Sequence, residues 1–81
     1  MDIQLYHRWH CPYSARVRDF VEAHRLTERI DYVELSEVPG SEAKLADLTG
    51  SSQVPCLVVD GEPKQESAEI VRWLDQNLVG S

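Results

Sequence analysis

The sequence predicts an α/β domain: a mixed four-stranded sheet with helices on both faces, in the order β-α-β-α-β-β-α. Three observations carry that prediction. Short segments rich in β-branched and aromatic residues alternate with longer ones whose apolar residues recur at helical spacing. Asp60-Gly61 separates two short strand-like runs, a tight hairpin signal. Cys11-Pro12 stands where the first apolar segment gives way to the first amphipathic one, with proline suited to the first position of a helix. Alternating strands and helices call for a parallel pair joined by a right-handed crossover, and the closing hairpin adds an antiparallel pair.

Each element has its own justification. Ile3, Leu5 and Tyr6 suit a first strand ending near His7, and Arg8 to His10 form the loop that follows. From Pro12 to about Leu26, Val17, Phe20, Val21 and His24 make one apolar stripe with Arg and Glu opposite, which predicts a first helix. Ile30 to Leu35 reads as a second strand, and Pro39-Gly40 as a turn. Ala43, Leu45, Ala46 and Leu48 favour a second helix, with Gly50 at its left-handed C-terminal cap. Leu57-Val58-Val59 is a short buried strand, and Pro63 to Glu66 an edge strand, where proline is tolerated. Ile70, Val71, Leu74 and Leu78 form the apolar face of a last helix, with Ser67 as its N-cap.

Cys11-Pro12-Tyr13-Ser14 carries the chemistry. A thiol at the N-cap sits beside backbone N–H groups that lack intrahelical partners and at the positive end of the helix dipole, so its ionised form is favoured. That makes Cys11 a candidate nucleophile. A second cysteine at position 14 would close an internal disulfide, but Ser14 stands there and can only donate or accept a hydrogen bond, so the site is monothiol.

Composition narrows the rest. One domain spanning residues 1–81 is expected, and by surface scaling it buries only about 60 to 65% of what its unfolded chain exposes. The 42% hydrophobic content allows a compact core, and no apolar run is long enough to span a membrane. The first ten residues show neither a cationic n-region nor a long apolar h-region, so no secretory signal is expected and the cytoplasm is the expected location. Two cysteines are too few for a disulfide scaffold, and a reduced compartment is where a working thiol is kept. The net charge of −6 argues against nucleic acid as a partner. The charge is uneven: residues 1–29 balance to +1 and residues 30–81 to −7. The thiol lies in the less acidic part, where local positive charge would help a thiolate and attract an anionic thiol. Apart from Arg8, the arginines there read as a solvated helix face.

Val54-Pro55 stands directly before the third strand. A cis proline there would leave the preceding N–H and C=O free to pair with a peptide-like ligand, whereas a trans proline would simply start the strand.

These residues resemble the thioredoxin-like superfamily, specifically glutaredoxins and the N-terminal domain of glutathione S-transferases. Cys11-Pro12-Tyr13-Ser14 is similar to the glutaredoxin motif with its second cysteine replaced, and Leu48 to Pro55 is similar to the glutaredoxin Leu-Thr-Gly...Val-Pro segment. Arg16-Val17-Arg18 after the motif, and Glu66 to Leu74, look more like the transferases. The resemblance implies a thioredoxin-like fold and glutathione as co-substrate. It implies that Val54 holds the cysteinyl part of glutathione beside a cis Pro55, and that Glu66 and Ser67 bind the γ-glutamyl end. Tyr13 would flank the cleft, and Arg8 would meet the glycine carboxylate or steady the thiolate. Ordinary helix capping is the other reading of Glu66 and Ser67.

The resulting expectation is a glutathione-dependent thiol-disulfide oxidoreductase acting on glutathionylated or disulfide substrates, catalysed by Cys11 with Ser14, as a monomer or alternatively a dimer. A transferase-like protein and a non-catalytic glutathione-binding or iron–sulfur module are the alternatives. A 2Fe–2S cluster held by Cys11 and glutathione is the metal alternative; a protein-only zinc site at His7, His10 and Cys11 lacks a second ligand pair. Cys56 is read as a buried strand cysteine, with an unusual resolving thiol as the other possibility. Trp9 is expected at the cleft rim and Trp73 in helix packing.

Overall fold

The computed structural model describes residues 1–80; Ser81, the last residue of the expected unit, lies outside them. Four strands, β1 (Ile3–His7), β2 (Asp31–Glu34), β3 (Cys56–Val59) and β4 (Glu62–Lys64), form one sheet in the order β2-β1-β3-β4. β1 runs parallel to β2 and antiparallel to β3, and β3 antiparallel to β4. Three helices complete the α/β architecture: α1 (Pro12–Ala23), α2 (Ser41–Thr49) and α3 (Ser67–Leu74).

Alternation along the strands divides the core in two. Ile3, Leu5 and Leu57 point to one face, where Val17 and Val21 of α1 and Ile70 and Leu74 of α3 close over them. Tyr6, Cys56 and Val58 point to the other, packed with Leu35 and with Leu45 of α2. The register brings Leu5 opposite Leu57 and Tyr6 opposite Cys56, so a single slip would exchange the two cores. Asp60, at φ 49°, and Gly61, at φ 88°, turn β3 into β4, where Pro63 sits on the sheet edge as expected.

The edge strand β4 begins at Glu62 and ends at Lys64 rather than running from Pro63 to Glu66, and three helix boundaries also differ from the sequence expectation. α1 stops at Ala23 rather than near Leu26, because Arg25 takes a left-handed conformation at φ 57°. The Leu26 N–H then donates to the Val21 carbonyl at 2.8 Å and the Arg25 N–H to the Glu22 carbonyl at 3.2 Å, a Schellman ending without glycine. Leu26 and Val21 both lie in the core, and this apolar contact holds arginine where glycine is the usual choice. The N-cap of α3 is Glu66, not Ser67; the Glu66 carbonyl accepts the first helical bond from the Ile70 N–H at 2.8 Å, and Ser67 becomes the first helical residue. Beyond Leu74 the chain widens into a π-type turn, Asp75–Val79, that still buries Leu78.

α2 is the least embedded helix: Leu45 is enclosed while Ala43, Ala46 and Leu48 face outward. Gly50 ends it in the left-handed conformation at φ 84°, as its position predicts. No helix of the described residues is long and apolar enough to cross a membrane.

Three outcomes follow for stability. Leu57→Ala, which empties space beneath α1 and α3, is expected to cost about 2–5 kcal/mol, whereas Leu48→Ala should stay within about 0.5 kcal/mol; urea unfolding measures both. Arg25→Gly should stabilise by up to about 1 kcal/mol, because glycine enters the left-handed region without steric cost.

Candidate functional site

The sulfur of Cys11 caps α1. Cys11 is extended, at φ −91° and ψ 119°, Pro12 is the first helical residue, and the Ser14 N–H donates to Cys11 Sγ at 3.4 Å. The thiol therefore meets a backbone donor that the helix leaves without a partner. Burial alone would push the thiol up. The Ser14 side chain, the N–H groups of Ser14 and Tyr13 and the positive charge of Arg18 outweigh it, and the net result is a thiol below its ordinary value. Ser14 is wholly buried, and its Oγ also accepts from the Arg8 N–H at 3.4 Å, tying the helix start to the loop before it.

Opposite the thiol stands the segment before β3. The Val54–Pro55 bond is cis, and Cys11 Sγ lies 3.9 Å from the Val54 carbonyl oxygen, in position for its S–H to donate. The Val54 N–H has no hydrogen-bond partner among the described residues. Val54 and Pro55 form one wall of a cleft of about 310 Å³ lined also by Tyr13, Gln53, Gln65, Glu66 and Ser67. Tyr13, 63% exposed, stands at its edge. The α3 N-terminus opens onto this cleft through Glu66 and Ser67, so it combines free helix N–H groups, a hydroxyl and a carboxylate. Cys11 is not itself in the lining; the Val54 contact is what places the sulfur beside it.

Three expectations, for Arg8, Trp9 and Arg18, need correction. Arg8 points neither to the thiol nor into the cleft: its guanidinium pairs with Glu42 at the start of α2, at 2.9 Å. Trp9 is absent from the cleft lining; its Nε1 donates to Glu37 and its ring meets the edge of His7 at 4.7 Å. Arg18, read as part of a solvated face, is only 8% exposed. His7 turns into the protein, where its Nδ1 lies 3.0 Å from Arg18 Nη1, so it does not join His10 and Cys11 around a metal. Among the described residues no group of three or more His, Cys, Asp or Glu is gathered for one. Cys56 is fully buried on the α2 side, and burial pushes its thiol up. Trp73 is partly buried against the larger core, with Lys64 Nζ 5.8 Å from its ring centroid.

A family profile described as the glutathione S-transferase N-terminal domain matches residues 10–77. The chain belongs to that family. No curated protein sequence matches it. Among solved structures, glutaredoxin 2 from Salmonella typhimurium, in complex with glutathione, is similar at 27% identity and a TM-score of 0.77, covering 98% of this chain and 34% of that one. A glutathione transferase family member from Pseudomonas fluorescens with bound glutathione aligns at 24% identity and a TM-score of 0.82, covering 99% and 40%. A thioredoxin-like protein aligns at 20% identity and a TM-score of 0.78, covering 99% and 97%. The fold is thioredoxin-like, and this transferase N-terminal domain spans between a third and two fifths of the two glutathione-bound proteins.

Within the transferase N-terminal domain, two kinds of residue escape the sequence pattern. Gln53 and Gln65 line the cleft, and only their adjacency to Val54 and Glu66 could mark them. Arg18 has a clearer signal: Ser14, Val17, Arg18 and Val21 are the buried residues of α1, spaced i, i+3, i+4, i+7. Of the expected stripe, Val17 and Val21 lie in the core and Phe20 packs partly buried against it, while His24 is exposed.

The buried His7 makes acid stability testable. Desolvation, then the Arg18 charge, lowers its pKa against smaller opposing effects of Glu34 and Glu37, so the folded state resists a proton that the unfolded chain accepts. Stability is therefore full above the unfolded value of about 6.5 and is lost as pH falls below it. Thermal midpoints measured between pH 8 and pH 5 should decline for the wild type. His7→Asn, which keeps an acceptor for Arg18 and cannot titrate, should flatten that decline.

Proposed function

We propose that the protein is a glutathione-dependent thiol-disulfide oxidoreductase that works through Cys11 alone. The observation that carries this reading is the sulfur at the start of α1, lowered in pKa and 3.9 Å from the Val54 carbonyl at the margin of the cleft. Glutathione occupies that cleft. Its cysteinyl part pairs with the Val54 backbone beside Pro55, where the N–H is unpartnered and the carbonyl meets the Cys11 sulfur, its γ-glutamyl carboxylate meets Ser67 and the α3 N-terminus, its ammonium meets Glu66, and Tyr13 flanks it. The glutathione-bound glutaredoxin, at 27% identity, supports this ligand.

In the first step the Cys11 thiolate attacks the glutathione sulfur of a mixed disulfide. The old S–S bond breaks, the substrate leaves as a thiolate that takes a proton from water, and Cys11 is left bonded to glutathione. A second glutathione, as its thiolate, attacks the glutathione sulfur of that adduct and releases Cys11 as thiolate together with oxidised glutathione. One mixed disulfide is reduced and one glutathione oxidised. A low-pKa thiol is both the ionised nucleophile of the first step and the better leaving group of the second. Ser14 serves by hydrogen bonding, because it has no thiol to resolve the adduct. The burial of Cys56 supports a cycle that does not use it. Such a cycle belongs in a reducing compartment such as the cytoplasm.

The second reading is conjugation of glutathione to an electrophile. It is favoured by the family itself and by Gln65-Glu66-Ser67 in the cleft wall.

Cys11→Ser should abolish glutathione-coupled reduction of a small mixed disulfide; undiminished turnover would overturn the mechanism. An aromatic halide assayed with glutathione separates the second reading, since product there at rates above the disulfide reaction would make transfer the main activity. Anaerobically purified protein without visible absorption would dismiss a cluster-carrying role. Ser67→Ala should weaken glutathione binding about tenfold to a hundredfold, the worth of one hydrogen bond to a charged group, as titration calorimetry would read.

A further inference from the structure

Arg18 is a buried cation with no carboxylate paired to it. Its contacts are all with neutral groups: Nη1 lies 3.0 Å from His7 Nδ1 and donates to the Arg8 carbonyl at 3.1 Å, and Nη2 donates to the Trp9 carbonyl at 3.3 Å. The guanidinium carbon lies 4.9 Å from the Trp9 ring centroid. Arg8–Glu42 is the one salt bridge among the described residues. A charge taken from water is costly unless it is hydrogen-bonded and answered by an opposite one.

The acids of this corner are turned elsewhere. Glu34 of β2 accepts from the Trp9 N–H at 2.9 Å and from the N–H and hydroxyl of Ser36. Glu37 accepts from Trp9 Nε1 and Glu42 from Arg8. Tyr32 of β2 has its hydroxyl 3.5 Å from Glu22 on α1, and the remaining acid near Arg18 on its own helix, Asp19, is exposed. His7 of β1 brings no negative charge: with Nδ1 accepting from Arg18, its proton belongs on Nε2, a buried atom without a partner. Burial, first, and the Glu22 charge push the Tyr32 phenol up to about 12 and keep it neutral, so the remaining group able to become an anion near neutrality is Cys11. Its own N–H donates at 3.2 Å to the Arg8 carbonyl oxygen, the same atom that accepts from Arg18 Nη1.

We propose that Arg18 is the positioning residue of the Cys11 nucleophile, anchoring the Arg8-Trp9 turn through its two carbonyls and supplying the buried positive charge that the thiolate answers. This rests on the reading of Cys11 as the nucleophile. It adds that the helix start is assisted by a second charge, carried about two turns along α1, in holding the thiol ionised.

The test follows alkylation of Cys11 by iodoacetamide across pH, read by mass spectrometry of the Cys11 peptide, in the full chain carrying Arg18→Gln or Arg18→Lys. Gln keeps donors without charge, and Lys keeps charge without the planar fork. With the charge removed, the profile should move to higher pH, and alkylation near pH 6 should fall about threefold to tenfold, in proportion to the thiolate fraction. Arg18→Lys should stay within about twofold of the wild type. A glutamine profile that coincides with the wild type, or a lysine profile displaced as far as the glutamine one, overturns the proposal. Should Arg18→Gln fail to fold, Arg18→Met, which keeps much of the side-chain length without the charge, is read in its place: a profile moved to higher pH supports the proposal and one that coincides with the wild type overturns it. Because the reagent needs no glutathione, this result is distinct from success or failure of the oxidoreductase reading.

Discussion

A sulfur atom standing where a helix usually places an oxygen is the contact on which this protein's chemistry depends. The N-cap of α1 must accept a hydrogen bond from the first turn, and Cys11 does so with Sγ on the Ser14 N–H. One interaction serves two ends. It satisfies a donor that the helix leaves over, and it favours the thiolate, because an anion accepts that bond better than a thiol does. Pro12 contributes by needing no such partner, which leaves the capping bond to Ser14.

The cap works only if the loop before it is held. Residues 8–10 carry no regular structure, yet their backbone is secured from three directions. Arg18 takes the Arg8 and Trp9 carbonyls from below, Glu34 takes the Trp9 N–H from the β2 side, and Ser14 Oγ takes the Arg8 N–H from the helix. Glu34 is well suited to accept there. The Ser36 hydroxyl and the Trp9 and Ser36 N–H groups bring its carboxyl down to about 2, so it remains an acceptor through the ordinary pH range. The loop is thereby given the rigidity of the strand and helix it joins, which a nucleophile requires if it is to meet a substrate bound along a separate segment.

The two walls of the site come from opposite ends of the sheet's logic. The thiol follows β1, and the Val54-Pro55 segment precedes β3; because those strands are neighbours and antiparallel, the residue after one and the residue before the other meet at the same edge. α3 then carries Glu66 and Ser67 to the same cleft. Cys56 shows how narrow the distinction is. One residue beyond Pro55, its side chain points to the far face with Tyr6 and Leu45, and the sheet that places Val54 beside Cys11 buries this second thiol.

Local pattern was enough for the architecture and for the chemical centre. Helical spacing in α1, the Asp60-Gly61 turn, Gly50 as a left-handed cap and Cys11-Pro12 at a strand-to-helix junction are signals whose causes lie within a few residues, so the chain alone determined the element order and the capped thiol. What it could not determine depends on distant partners. Arg25 occupies a glycine-like position because Leu26 finds the core, a gain invisible from the arginine itself. Arg8 was drawn from the thiol by Glu42, thirty-four residues away, and Arg18 was drawn inward by carbonyls that only the fold brings to it. A long charged side chain can reach several partners at similar cost, and the tertiary structure decides among them by which acceptors it removes from water.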